Sequence, residues 1–290
     1  MKKVYKTITA LLLVCILVIP GSLTANAATV AIVTDYSSLK TAIENKTDTI
    51  VVANDITLND VININHDVTL ISLGATIYPA SGKRHFNVFR GDVSDITVTF
   101  QDVILDGKKI GGGLFTYSTN ATINNAVIQN CYYVSGGAIY STGHLTLAGC
   151  TIKNNTSNNG GGINSSGDIT ISDCIFTNNS VGSGRGGAIY ATSATSILRC
   201  TFTNNDAYSG GALHFTSLSS TRIESTTISN NWAYSGGGIY SMGELSLILA
   251  DITNNSAQFN GGGVFHDSAN TLYNIYSNIS NNSPNNIAYK

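Results

Sequence analysis

The sequence predicts an all-β fold, a single-stranded right-handed parallel β-helix, which is a solenoid with about 25 residues in each coil. Three observations predict it. A Gly-Gly motif occurs seven times, an Asn-Asn motif occurs six times in phase with it, and the short segments between them alternate apolar and polar residues. Two independent motifs that share one period indicate a structural repeat. Short segments that alternate with period two are typical of strands.

The glycine motif joins two glycines to a small residue and an aliphatic residue. Its copies are 24 to 26 residues apart and begin at Gly111, Gly136, Gly160, Gly186, Gly210, Gly236 and Gly261. Paired glycines permit a tight bend or a positive φ just before the next strand. Three short strands and three turns per copy close one triangular coil. Each strand then pairs in parallel with its copy about 4.8 Å along the axis, so that stability comes from neighbouring coils.

The asparagine motif follows a strand whose middle residue is apolar. Alternation directs these middle residues inward and predicts an interior column of Ile152, Phe176, Phe202, Ile228 and Ile252. The first asparagine of each pair is predicted to form an amide ladder that satisfies buried backbone groups at the turn. This ladder would consist of Asn154, Asn178, Asn204, Asn230 and Asn254. Asp106 is placed in the same ladder position.

The cysteines favour buried thiols over disulfides. Four of the five remain once Cys15 leaves with the signal peptide predicted below, and an even number in an exported chain normally indicates disulfides. Cys150, Cys174 and Cys200 share one position of the repeat, which Ala126, Thr226 and Ala250 fill in other coils. Stacked parallel side chains point the same way and lie near the upper limit of disulfide spacing. We interpret the three as a structural column of small apolar residues. Cys131 stands at the second asparagine position and is expected near the surface.

The first 27 residues are typical of a secretory signal peptide. Lysines come first, an apolar run from Leu11 to Ile19 follows, and Ala25-Asn26-Ala27 offers a cleavage site after Ala27. The run is too short to cross a membrane, which takes roughly 20 residues. Residues 28–290 are therefore expected to form one exported β-helix domain without a transmembrane segment.

The sequence also predicts the structure at both ends of this domain. Residues Tyr36 to Glu44 are predicted to form a short amphipathic helix, with Leu39, Ala42 and Ile43 on one face, that caps the first coil. Coils are expected from about residue 49 to residue 282, which gives room for roughly nine of them, with first strands at 49–53 and 56–58. The eight residues after Asn282 show no comparable cap. We expect one of three roles for them: they fold over the last coil, take part in assembly, or lead into a longer chain.

Composition excludes some classes of function. Without the signal peptide the chain has 12 basic and 17 acidic residues, a net charge of −5. There is no basic patch of the kind that a phosphate backbone requires, which argues against nucleic acid as a partner. The five histidines are scattered without metal-ligand spacing. We therefore expect neither a metal nor another cofactor.

The two motifs together resemble the polymorphic outer-membrane protein repeat, whose marks are GGAI and FxxN. GGAI occurs at 136–139 and 186–189, and FxxN occurs at 176–179 and 202–205. The resemblance covers roughly 111–282, and the N-terminal coils look like the wider pectate-lyase-like β-helix superfamily. Members of the repeat family are surface-exposed proteins implicated in adhesion, so the resemblance implies an adhesin-like protein that is secreted or held at the cell surface.

A candidate binding face follows from the glycine motif, because the residue after the inward aliphatic one faces outward. That outward column reads Tyr140, Asn164, Tyr190, His214, Tyr240 and Phe265, and the loop beside it contributes Tyr208, Trp232, Tyr234 and Phe259. Aromatic rows on a rigid surface can bind a glycan or a surface protein. The plainer explanation is that tyrosine suits an exposed strand.

The alternative function is a polysaccharide lyase or glycoside hydrolase that acts on an acidic polysaccharide. Such chemistry needs a carboxylate pair, or a calcium cluster with a basic residue. The candidate acids are scattered over Asp95, Asp102, Asp106, Asp168 and Asp173. Arg185 has no sequence partner that suggests a base, and regular coils are expected to leave no loop that walls a cleft. We therefore expect a non-enzymatic protein.

Overall fold

The computed structural model describes residues 28–89, 96–216, 219–267 and 269–290. The predicted signal peptide lies outside these residues. The described chain forms a parallel β-helix in which four sheets run along one axis, here named sheets A, B, C and D. Each complete coil passes through A, B, D and C in that order. Sheets A, B and C contain 11, 10 and 10 described strands, so the solenoid has about one coil more than the spacing predicted.

The strands of each sheet pair in parallel with the copies in the neighbouring coils. Sheet A consists of Val30–Val33, Thr49–Val52, Val68–Ser72, Thr97–Gln101, Asn120–Asn124, Leu145–Ala148, Ile169–Ser172, Thr195–Leu198, Ser220–Glu224, Glu244–Ile248 and Leu272–Ile275. Sheet B consists of Ile56–Thr57, Thr76–Tyr78, Ile104–Asp106, Val127–Gln129, Thr151–Lys153, Ile175–Thr177, Thr201–Thr203, Thr227–Ser229, Asp251–Thr253 and Asn278–Ser280.

Sheet C carries the glycine motif at the start of most of its strands. It consists of Ile62–Ile64, Arg84–Phe89, Gly112–Tyr117, Ile139–Ser141, Ile163–Ser165, Ile189–Ala191, Leu213–Phe215, Ile239–Ser241, Val264–His266 and Ile287–Tyr289. Sheet D was not predicted and lies between B and C in the later coils. It consists of Thr156–Ser157, Ser180–Val181, Asp206–Ser209, Trp232–Ser235 and Ser256–Asn260. The last strand of sheet C shows that the residues after Asn282 continue the solenoid.

The N-terminal cap is confirmed. Helix α1 spans Tyr36–Glu44 and buries Leu39, Ala42 and Ile43 against the first coil. It begins at a capping box, in which the Asp35 carboxylate accepts a hydrogen bond from the Ser38 amide (2.8 Å) and the Ser38 hydroxyl accepts one from the Asp35 amide (3.2 Å).

The predicted interior column is confirmed. Ile152 lies in register with Phe176, and Phe176 with Phe202, in adjacent strands of sheet B. All three side chains are fully buried. The two phenylalanine rings stack with centroids 4.8 Å apart and planes 10° from parallel. The interior is therefore built from equivalent residues of successive coils.

The amide ladder forms, but at the second asparagine of each pair, so its predicted position is wrong. The buried ladder consists of Asn155, Asn179, Asn205, Asn231, Asn255 and Asn282. The predicted residues Asn154, Asn178, Asn204, Asn230 and Asn254 are exposed and have φ of 54° to 57°. A left-handed residue interrupts strand alternation. The side chain that turns inward is therefore the next one.

The structure also corrects two predictions about residues near this turn. Asp106 lies in register with Gln129, outside the ladder, and its carboxylate accepts a hydrogen bond from Gln129 Nε2 (2.9 Å). Cys131 is buried instead of near the surface, because its position belongs to the ladder, and its amide donates to Asn155 Oδ1 (2.9 Å).

The cysteine column agrees with the interpretation as buried thiols. Cys150, Cys174 and Cys200 are free and buried. The amide of Cys150 donates to Cys174 Sγ (3.2 Å), and the amide of Cys174 donates to Cys200 Sγ (3.5 Å). The sulfur atoms thus act as acceptors for the turn between sheets A and B.

In six of the seven copies the first glycine has the positive φ that the sequence suggested, for example 64° at Gly186, and Gly111 is the exception. The second glycine is needed for a different reason. A Cβ atom on Gly187 would lie against the carbonyl oxygen of Gly211 and 2.6 Å from that of Asp206. The chain therefore approaches the next coil closely at the junction of sheets D and C.

Candidate ligand-binding cleft

A cleft of about 670 Å³ opens on the outside of the solenoid, in its C-terminal half. Its two walls are the rows of aromatic side chains on sheet C and sheet D. The wall residues are His214, Tyr240 and Phe265 on sheet C and Tyr208, Tyr234 and Phe259 on sheet D. We call it the aromatic cleft. Regular coils were expected to leave no loop that walls a cleft, and the walls here are the side-chain rows themselves.

The sheet D row is a parallel stack. Tyr208 and Tyr234 have ring centroids 4.8 Å apart and planes 4° from parallel. Tyr234 and Phe259 follow at 5.8 Å and 5°. Both faces of Tyr234 therefore lie against other rings, so this residue offers its ring edge and hydroxyl to a ligand. Tyr208 and Phe259, at the two ends, are half or more exposed.

The sheet C row is stacked less regularly. The rings of His214 and Tyr240 lie 4.7 Å apart and 9° from parallel. Tyr190 on one side is tilted by 51° to His214, and Phe265 on the other by 38° to Tyr240. This row is thus continuous over four coils, from Tyr190 to Phe265.

Of the ten residues predicted for the outward column and the loop beside it, six line the aromatic cleft, namely Tyr208, His214, Tyr234, Tyr240, Phe259 and Phe265. Tyr190 adjoins it through its ring contact with His214. Trp232 is exposed on sheet D and does not line the cleft.

Tyr140 lies apart from the aromatic cleft. It stacks on Phe115 at 5.4 Å and 10°. Asn164, in register between Tyr140 and Tyr190, interrupts the row. Its side-chain amide donates to Ser135 Oγ (2.6 Å).

His214 is a buried, neutral member of the wall. Its side chain is 2% exposed, and Nδ1 lies 3.0 Å from Ser209 Oγ, which fixes the ring orientation. Its Nε2 has no partner among the described residues. Burial, and secondly the charge of Arg185, lower the pKa of His214 to about 3. The imidazole is therefore uncharged at neutral pH.

Tyr240 is held as a neutral phenol. Its hydroxyl donates to Asp267 Oδ2 (2.7 Å), and Lys290 Nζ lies 3.4 Å from the same oxygen. Burial first, and then the hydrogen bond and charge of Asp267, raise the pKa of Tyr240 well above its usual value. The carboxylate of Asp267 is thus already engaged by a phenol and an ammonium group.

Arg185 also lines the cleft, and sequence reasoning did not include it in the face. It stands directly before the first glycine of its motif, in register with Ser209, and that column continues with Ser235 and Asn260. A single cation in a column of small polar residues was the signal that could have found it.

The cleft offers hydroxyl groups, ring edges and the guanidinium of Arg185 to a ligand, while the ammonium group of Lys290, which also lines it, lies against Asp267. Within the described ranges, no three histidine, cysteine or acidic side chains are grouped so that they could hold a metal ion. Across those same ranges, no helix has the length and apolar character needed to cross a membrane.

Comparison with known proteins agrees with the geometry. Residues 88–217 match the family model of the right handed beta helix region, and residues 225–242 match that of the Chlamydia polymorphic membrane protein repeat. No curated protein matches the sequence.

Among solved structures, the mannuronan C-5 epimerase AlgE4 A-module of Azotobacter vinelandii is similar, with a TM-score of 0.50 and 13% identity over 92% of this chain and 98% of that one. The SRRP of L. reuteri 53608 has a TM-score of 0.38 and 15% identity over 89% and 95% of the two chains. The Dettilon tailspike protein gp208 has a TM-score of 0.34 and 12% identity over 90% and 68%.

The parallel coils and the first family match define this chain as a right-handed parallel β-helix protein. Within it, residues 225–242 match the polymorphic membrane protein repeat. This confirms the resemblance that its GGAI and FxxN motifs indicate.

Proposed function

We propose that this chain is a secreted or cell-surface protein that binds a glycan on a partner surface, in the manner of an adhesin, through the aromatic cleft. The repeat that it shares with polymorphic membrane proteins supports a surface-associated role. The observation that carries the binding role is the pair of aromatic rows, which run side by side over successive coils and enclose a cleft of about 670 Å³.

The structure of the two walls suits a sugar chain. Each row presents one side chain per coil at a spacing close to 4.8 Å, so equivalent groups recur along the axis as the units of an extended glycan do. Tyrosine edges and hydroxyls supply apolar contact and hydrogen bonds at little cost in side-chain entropy. The rows are already ordered by their own stacking, so less entropy is lost when a ligand binds.

The test is glycan-array binding of the full chain and of variants in the sheet D wall. Tyr208→Ala and Tyr234→Ala are expected to weaken binding about tenfold or more, because buried aromatic contacts dominate interface energetics. Tyr132→Ala is the matched control, since Tyr132 is 60% exposed and lies outside the cleft. Unchanged binding by both wall variants, with their folding intact, would contradict the proposed site.

Two further measurements test the rest of the proposal. Protease treatment of intact cells is expected to degrade a surface-held form, whereas a secreted form is recovered in the medium. Retention inside the cell would overturn the proposed location. Incubation with acidic polysaccharides is expected to yield no products that absorb in the ultraviolet. If such unsaturated products appear, lyase activity would replace binding as the function of this protein.

A further inference from the structure

Arg185 differs from every other arginine that the structure describes. Arg199 forms two hydrogen bonds of 2.8 Å with the carboxylate of Asp173. Arg222 pairs with Glu224 at 2.6 Å. The guanidinium of Arg185 forms no hydrogen bond or ion pair within the described residues, and it lines the aromatic cleft.

The fourth described arginine has no charged partner either, but its bonds are satisfied. Arg84 is 4% exposed, and its guanidinium donates to the carbonyl oxygens of Leu114 (2.8 Å), Gly136 (3.1 Å) and Ser135. It also lies over the ring of Tyr133, 4.2 Å from the centroid. Arg84 therefore has a structural role, and Arg185 remains the described arginine whose guanidinium is available to a ligand.

No acid in the cleft neutralises Arg185. Asp267 is the acidic side chain among the described lining residues, and its carboxylate is engaged by Tyr240 and Lys290. His214 is neutral, and Tyr240 keeps its proton. Arg185 lines the cleft together with these two side chains, and its charge acts to lower the pKa of both.

The backbone of Arg185 is fixed in place. Its amide donates to Asn159 Oδ1 (3.0 Å), and its carbonyl oxygen accepts from the Gly160 amide (2.9 Å). Its exposed guanidinium is unpaired among the described residues and is therefore free for the planar, two-point hydrogen bonding that a carboxylate or sulfate accepts.

We propose that the aromatic cleft binds a glycan that carries an isolated anionic group, a carboxylate or a sulfate, and that Arg185 receives this group. The inference rests on the proposed function and specifies the ligand of the same site. One anionic unit is expected per site, because the equivalent positions in neighbouring coils are Asn159, Ser209 and Ser235. A polymer with a negative charge on every unit would also be repelled by the net negative charge of the protein.

The experiment measures the binding of four probes to the full chain. They are a neutral oligosaccharide, the same oligosaccharide with one uronate unit, the same oligosaccharide with one sulfate, and a polyuronate. The single-anion probes are expected to bind more tightly than the neutral one. Arg185→Gln is expected to weaken their binding about 10- to 100-fold, the range for a charge-assisted hydrogen bond, and to weaken binding of the neutral probe much less.

Arg199→Gln is the matched control, because it removes the same charge from an arginine outside the cleft and should alter no binding. A preference of the wild type for the uronate or for the sulfate probe distinguishes the two sources of the anion. Equal losses in the two variants, polyuronate binding tighter than single-anion binding, or no effect of Arg185→Gln would overturn the inference while the proposed function stands. Failure of the wild type to bind any probe would overturn the proposed function itself.

Discussion

The side-chain amide of Asn179 donates a 3.1 Å hydrogen bond to Oδ1 of Asn205, and the same oxygen accepts from the Asn179 backbone amide at 3.0 Å. Asn205 in turn donates to Asn231 Oδ1 at 3.0 Å. Each ladder residue therefore accepts hydrogen bonds from the coil before it and donates hydrogen bonds to the coil after it. These groups are buried, so water cannot replace a missing partner.

Asn205→Ala is expected to destabilise the protein strongly. It leaves the backbone amide of Asn179 without its acceptor, and Asn179 Nδ2 keeps only its bond to the Ile152 carbonyl oxygen, at about 1–3 kcal/mol for each buried donor left unpaired. Asn204→Gly should cost little, because Asn204 is exposed and has a φ of 56° that glycine tolerates. Urea denaturation of both variants checks this. Equal midpoints would show that the ladder does not stabilise the coils.

The second glycine of the motif can be tested with a matched pair. Gly187→Ala places a methyl group against carbonyl oxygens of the next coil, so we expect a loss of about 1–3 kcal/mol in the free energy of unfolding. Gly182→Ala is the control, because nothing lies within 4 Å of its added Cβ. Thermal unfolding compares the two. A stable Gly187→Ala variant would refute close approach as the reason for the glycine pair.

Stability should fall as pH drops from about 6.5 to 4. Burial lowers the pKa of His85 to about 4, and Asp106 is the charged neighbour that opposes this shift. Between these values the unfolded chain binds a proton that the folded chain does not, so each such histidine lowers stability by up to about 1.4 kcal/mol per pH unit. His214 contributes in the same sense down to about pH 3.

Denaturation curves across this range test the origin of the pH dependence. His85→Leu is expected to flatten the slope, whereas His144→Leu, at an exposed position, should leave it unchanged. A slope that His85→Leu does not alter would assign the effect to other groups.

The four described cysteines should not react with thiol reagents in the native state. Burial raises the pKa of Cys131 to about 12, whereas hydrogen bonding among the stacked thiols raises the pKa of Cys174 and lowers those of Cys150 and Cys200. The thiolate is the reactive form, but all four sulfur atoms are buried, so a reagent cannot reach them. Titration with a chromogenic disulfide should detect these thiols only after unfolding. Prompt labelling of the native protein would contradict the buried column.

The sequence was sufficient for the features that depend on period two and on the repeat length. These are the interior stack at Phe176 and Phe202, the cap at 36–44 and the outward column through Tyr240. The pattern failed where single residues leave the extended conformation. The positive φ of Asn204 shifts the ladder to Asn205. Strict alternation of inward and outward side chains does not predict that turn.

The aromatic cleft was only partly predictable, because it depends on the distance between two sheets. The sequence indicated Tyr208 and Tyr240 as neighbours but not the strand Asp206–Ser209, which holds Tyr208 opposite the sheet C row. Arg185 was missed as a cleft residue. The sequence shows a single cation in a column of small polar residues, but it does not show that the guanidinium lacks a partner in space.

The parallel register of sheets C and D would let the proposed ligand recognition change without a new fold. Equivalent residues recur every 24 to 27 positions, and each coil contributes one residue to each wall. Duplication or loss of a whole coil would lengthen or shorten the recognised stretch by one fixed increment and leave the interior unbroken. Substitution at one outward position would alter a single subsite. Recognition length and recognition chemistry can therefore evolve independently in this chain.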